Sequence, residues 1–110
     1  MDCEYHFALT QRAKQDVRQS VGYIRNELGN EKAAKILMND LDKCIERLCI
    51  FPESGKLVFD EYLPGVHVRR KIVGKYILFY QVLKKEKIIR ILRIVSGCRD
   101  MDEVFRHMDN

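Results

Sequence analysis

The chain has 110 residues, 46% of them hydrophobic and 33% charged, and a formal net charge of +4. That length fits a single domain over residues 1–110 with a core of its own, and the composition excludes wholesale disorder. No apolar run approaches the roughly 18 residues of a membrane span, and the opening MDCEYHFALT lacks the basic and apolar regions of a signal peptide, so a cytoplasmic protein is expected.

Residues 5–9 read YHFAL. Tyr5, Phe7 and Leu9 alternate with His6 and Ala8, which predicts a short strand with one more apolar face and His6 on the other. Thr10 is a favoured helix N-cap. After it Ala13, Val17, Val21, Ile24 and Leu28 recur at three- and four-residue intervals, which predicts an amphipathic helix over residues 11–28. Gly22 lies inside it at a cost of about 1 kcal/mol relative to Ala, and close packing against another element is the expected reason. Gly29 suits the left-handed residue that ends a helix, and Asn30 suits the cap of the next. Ala34, Leu37, Leu41, Cys44, Ile45 and Leu48 form a second stripe, predicting a helix over residues 31–49 that folds back as an αα-hairpin. Phe51-Pro52 ends it, because a residue before proline is driven out of the helical region.

Residues 52–65 (PESGKLVFDEYLPG) carry Ser54-Gly55 and Pro64-Gly65 turn signals and read as a loop, with Leu57, Val58 and Phe59 as its apolar anchor. Residues 66–73 are a strand candidate that Gly74 breaks. Two apolar runs follow, at residues 76–83 and 88–95. Each is about eight residues long and rich in aromatic and β-branched side chains, so both suit strands better than helices. The four-residue link at residues 84–87 fits a hairpin. Both runs are apolar on both faces, as strands central to a sheet and covered on both sides are. Three consecutive strands make an antiparallel meander. The predicted fold is therefore α+β, in the order β-α-α-β-β-β: a small antiparallel sheet with the αα-hairpin on one face and no predicted element for the other. Residues 101–110 are equally open to a short helix or a frayed tail.

The four cysteines, Cys3, Cys44, Cys49 and Cys98, form no C-x-x-C pair and have no histidine at zinc-ligand spacing. Free thiols in a reducing compartment are expected, with no metal and no cofactor. Charge is uneven. Residues 69–99 contain Arg69, Arg70, Lys71, Lys75, Lys84, Lys85, Lys87, Arg90, Arg93 and Arg99 against one acid, Glu86. Such asymmetry fits either a polyanionic or acidic partner or a solvated basic face. Arg93 lies within an apolar strand, so it is either paired inside the domain or facing a binding groove.

Several segments together resemble the RelE/ParE superfamily of bacterial type II toxin–antitoxin toxins. Leu9-Thr10-x-x-Ala13-x-x-Asp16-Val17 followed by Tyr23-Ile24 is similar to that family's opening helix, and Ile45-x-x-Leu48-x-x-Phe51-Pro52-x-x-Gly55 to the end of its second. Arg70, six residues before Tyr76, stands where the family usually has an arginine. Tyr76-x-x-Phe79-Tyr80-x-Val82 resembles its central strand, and Ile91-x-Arg93-Ile94 with Arg99-Asp100 its last.

The resemblance implies the toxin of a plasmid-stabilisation type II system, held inactive by a cognate antitoxin. It implies one of two activities: poisoning of DNA gyrase by binding, as in ParE-like members, or cleavage of messenger RNA on the ribosome, as in RelE-like members. A toxin fold that serves only as a binding partner is a third reading. Metal-free RNA cleavage needs a base, phosphate-holding cations and an acid. The resemblance puts Ile77 where an arginine often stands, Phe105 at the C-terminal tyrosine position and Ser96 at the place of a strand-end histidine. A nuclease would then be left with Arg70, Arg93, Arg99 and His107, the last with a reference pKa suited to proton transfer or simply a tail histidine. The departures favour the ParE-like reading, with Arg70, Lys75, Arg93 and Arg99 as target-binding residues and gyrase, rather than ribosome and message, as the target.

Overall fold

The computed structural model describes residues 5–58 and 67–97, together with Val104 and Arg106. The elements follow one another as β1 (His6–Leu9), α1 (Gln11–Gly22), α2 (Glu31–Ile50), β2 (Lys56–Val58), β3 (Val68–Val73), β4 (Tyr76–Leu83) and β5 (Ile88–Ser96), with a π-helical turn at Tyr23–Glu27 after α1. The five strands form one sheet in the order β1-β5-β4-β3-β2.

The helix boundaries follow their local chemistry. Thr10 caps α1, its hydroxyl accepting from the Ala13 amide at 3.0 Å and donating to the Leu92 carbonyl at 2.9 Å. It thereby fixes the start of the helix to β5. Gly29 takes φ +58°, and the Asn30 side chain accepts from the Ala33 amide at 3.0 Å, so the stop and restart of the hairpin are both made as expected. Regular α geometry ends at Gly22, and the chain widens into the π turn before Leu28. Close packing at Gly22 is not found. A Cβ there would meet nothing within 4 Å, so the residue sits in open space at the junction of the two helical forms.

The meander β3–β4–β5 is antiparallel, as the consecutive strands require. The sheet as a whole is mixed, which corrects the all-antiparallel expectation: β1 pairs with β5 in parallel, His6 opposite Ile88 and Leu9 opposite Ile91. No hairpin joins these two strands, so connectivity does not impose an antiparallel pairing. The loop after α2 also holds an additional edge strand, β2, with Lys56 opposite Arg70 and Val58 opposite Val68. The β4–β5 link has no glycine, and Lys87 closes it with φ 57°.

Register slips once between Phe79 and Tyr80. Phe79 faces Arg93, Tyr80 faces Ile91, and Leu92 is the extra residue. This bulge lets one strand serve two cores. Ile89, Ile91 and Ile94 pack under the helices with Leu78, Tyr80, Leu37, Leu41, Ile45 and Leu48. Leu92 and Val95 instead join Phe79 and Val68 in a second cluster, which Val104 completes. The face of the sheet away from the hairpin was predicted to lack a cover. It has one at this point, since Val104 is 1% exposed there.

Candidate functional site

The basic half of the chain resolves into three arrangements. The first is internal. Arg93 is 3% exposed and Asp16, on α1, is 5% exposed. Arg93 Nε donates to Asp16 Oδ2 at 2.7 Å and a terminal nitrogen to Oδ1 at 3.0 Å. The Ile94 amide donates to the same Oδ2 at 3.0 Å. Of the two places open to Arg93, the structure shows the one inside the domain. The reason is the sheet edge: β1 ends at Leu9 opposite Ile91, so β5 runs on unpartnered from Leu92. There α1 takes over, with Thr10 bonding the Leu92 carbonyl and Asp16 the Ile94 amide. A carboxylate brought to that amide needs a cation, and Arg93 is the adjacent residue. The signal was in the sequence: Asp16 falls three residues after Ala13, on the apolar stripe of its helix, and Arg93 stands in an apolar strand.

The second arrangement clamps the loop before β2. The Tyr80 hydroxyl donates to the Pro52 carbonyl at 2.8 Å and accepts from the Gly55 amide at 2.9 Å. Arg69 donates to the Gly55 carbonyl at 2.8 Å and the Glu53 carbonyl at 3.2 Å. Glu53 pairs with Lys84 at 2.8 Å. The hydrogen bond from Lys84 holds the Glu53 carboxyl below its usual pKa and raises that of Lys84. Burial pushes the Tyr80 phenol up. Gly55 is required here, because a Cβ would lie 2.4 Å from the Tyr80 oxygen and 2.8 Å from the Arg70 carbonyl. Arg69 is thus a structural cation.

The third arrangement lies on the sheet face away from the helices. Residues directly opposite on neighbouring strands share a face, so Lys56, Arg70 and Phe79 form one row across β2, β3 and β4. Val68 and Val58, two residues along their strands, contribute to the second cluster on this face. Arg90 is here too, opposite Gln81, whose side-chain oxygen it contacts at 3.3 Å. Arg70 is partly exposed and Lys56 exposed. Among the described residues neither meets a carboxylate. Lys75 stands apart, exposed in the turn between β3 and β4, where its carbonyl accepts from the Gly97 amide at 2.9 Å. Arg99, Phe105 and His107 lie outside the described residues. Lys56 was not singled out in the sequence, because pairing across strands, not spacing along the chain, places it beside Arg70.

Nothing in these arrangements resembles a metal centre: among the described residues no three His, Cys, Asp or Glu side chains gather to hold an ion. Cys44 and Cys49 are free thiols. Burial pushes the Cys44 thiol up, against the lowering effect of Lys71 and Arg47. Among the described residues no helix is long and apolar enough to cross a membrane.

Several solved structures are similar, among them two described as toxin–antitoxin systems. One, described as the chromosomal ParDE TA system from P. aeruginosa, gives a TM-score of 0.66 at 21% identity, covering 86% of this chain and 98% of that one. The other, the toxin-antitoxin complex RelBE2 from Mycobacterium tuberculosis, gives a TM-score of 0.59 at 22% identity, covering 84% of this chain and 98% of that one. These likenesses show the fold. No curated protein matches the chain. The family described as "ParE toxin of type II toxin-antitoxin system, parDE" matches residues 7–101, nearly the whole sequence, and the chain belongs to that family.

Proposed function

We propose that this protein arrests bacterial growth by binding and poisoning DNA gyrase, and that a cognate antitoxin neutralises it in the cytoplasm. The observation that carries the choice of binding over catalysis is the Asp16–Arg93 pair. Arg93 would be one of the cations of a nuclease site, yet its Nε and one terminal nitrogen are bonded to Asp16 and the side chain is buried inside the domain. Ile77 stands where an arginine would help to hold a scissile phosphate, and its side chain packs on the second apolar cluster. Among the described residues this leaves Arg70 alone of the candidate nuclease set. Metal-free RNA cleavage needs a base, a phosphate clamp and an acid, and Arg93, held inside the domain, is withdrawn from that clamp. A binding inhibitor needs only a surface, and the Lys56–Arg70 row with Lys75 provides a basic one. The solved relatives are described as toxin–antitoxin assemblies, which supports an antitoxin as partner here.

The test uses purified protein in two assays. Supercoiling by purified gyrase should fall on its addition, while message in a translating extract stays intact. Cleaved message with unaffected gyrase would replace this reading with the ribosome-dependent nuclease. Inactivity in both, with no growth arrest on expression, would leave a toxin fold that acts only as a binding partner.

A further inference from the structure

Lys56 and Arg70 stand directly opposite one another on β2 and β3. Like charges in that relation destabilise a sheet. Among the described residues neither has a counter-charge, so none of them offsets the repulsion. An anion seated between them would. We propose that Lys56 and Arg70 form a two-cation seat for a carboxylate on an extended acidic segment of a partner protein. The inference rests on the antitoxin reading only for the identity of that partner.

The surroundings select a polypeptide over a nucleic acid. Ile72 lies two residues beyond Arg70 on the same strand and is 64% exposed. Alternate residues of a strand share a face about 7 Å apart, so Arg70 and Ile72 present a cation and an apolar contact at the repeat of an extended peptide. A segment with acidic and apolar side chains two residues apart matches both. Single-stranded nucleic acid binds by stacking bases on exposed aromatic rings along a track of cations. The aromatic ring in this row, Phe79, is 1% exposed and offers no face to a base. The partner supplies charge complementarity at the cations and apolar area at Ile72, and binding relieves the repulsion.

The purified full chain can be titrated with a blocked peptide alternating glutamate and leucine, with its glutamine counterpart, and with a short uridine RNA. Association is followed by calorimetry, and the site by amide NMR shifts. The glutamate peptide should bind and the glutamine peptide should not. Shifts should centre on Lys56, Arg70 and Ile72. Arg70→Gln and Lys56→Gln should each weaken binding about three- to tenfold, whereas Lys14→Gln on the exposed face of α1 should not. The free Arg70→Gln and Lys56→Gln proteins should melt at or above the wild-type temperature, since each removes a repulsion. Unchanged peptide affinity in both variants, shifts centred elsewhere, or tighter binding of RNA lost with the same substitutions would overturn the proposal. Lower melting temperatures in both variants would overturn it too, by assigning the pair a structural role. Growth arrest and its neutralisation are measured separately. If neutralisation survives while the peptide ignores these cations, the seat fails and the antitoxin reading stands. If the seat binds and no antitoxin neutralises the protein, the reverse holds.

Discussion

Asp16 and Arg93 lie 77 positions apart in the sequence and form a buried, two-pronged ion pair. It joins the first helix to the last strand at the point where β1 stops. The Asp16 carboxylate also takes the Ile94 amide, so one side chain satisfies both a buried cation and a buried backbone donor.

Breaking this pair from one side should be costly. Asp16→Ala leaves Arg93 buried and uncompensated and the Ile94 amide without an acceptor, a loss of about 3–5 kcal/mol. Asp16→Ala with Arg93→Met should recover part of that, because an apolar replacement removes the stranded charge. Chemical denaturation of the two single variants and the double variant measures the coupling, and additive losses would mean that the pair does not act as a unit.

The Tyr80 phenol predicts behaviour in alkali. Burial raises its pKa above the ordinary phenol value of about 10, so the unfolded chain ionises first as pH rises. The stability linked to this group is fully present below pH 10 and is lost as pH climbs from there through the folded-state value. Tyr80→Phe should remove that contribution to the slope. It should also cost about 1–3 kcal/mol at neutral pH, since the Gly55 amide and Pro52 carbonyl lose their partner. Denaturation midpoints at neutral and alkaline pH, compared between the two proteins, test both statements.

Two glycines should respond in opposite directions to the same substitution. Gly55→Ala drives a methyl into the Tyr80 oxygen and the Arg70 carbonyl and should destabilise by about 1–3 kcal/mol. Gly22→Ala meets open space on helical backbone and should stabilise by about 0.4–1 kcal/mol. Thermal melts of both variants give the signs directly.

Toxicity should follow surface rather than proton transfer. His107→Ala and Phe105→Tyr should leave growth arrest largely intact, whereas charge reversal at Arg70 or Arg99 should weaken it. Removing a general acid from an enzyme costs about 10²–10⁴-fold in rate, so abolition of arrest by His107→Ala would mark a nuclease. Arg93 belongs in the stability experiment instead, because reversing it places two carboxylates together in the core.

The elements were legible in the sequence because they are set by local chemistry. Thr10, Gly29 and Asn30 fix helix ends within a few residues of themselves, the stripes of α1 and α2 follow one helical period, and the paired apolar runs at residues 76–95 suit neighbouring strands better than helices. A basic C-terminal half was equally visible. What tertiary structure decided depends on which strand edge meets which. Parallel addition of β1, the bulge at Leu92, β2 within an apparent loop and the cover from Val104 all arise from contacts between distant segments. The candidate site shows the same division. Arg70 could be chosen from its place in the chain, but Lys56 joins it only through strand pairing. Arg93 is withdrawn from the surface only because α1 brings a carboxylate to the unpartnered edge of β5, where a buried amide and a buried cation both need one.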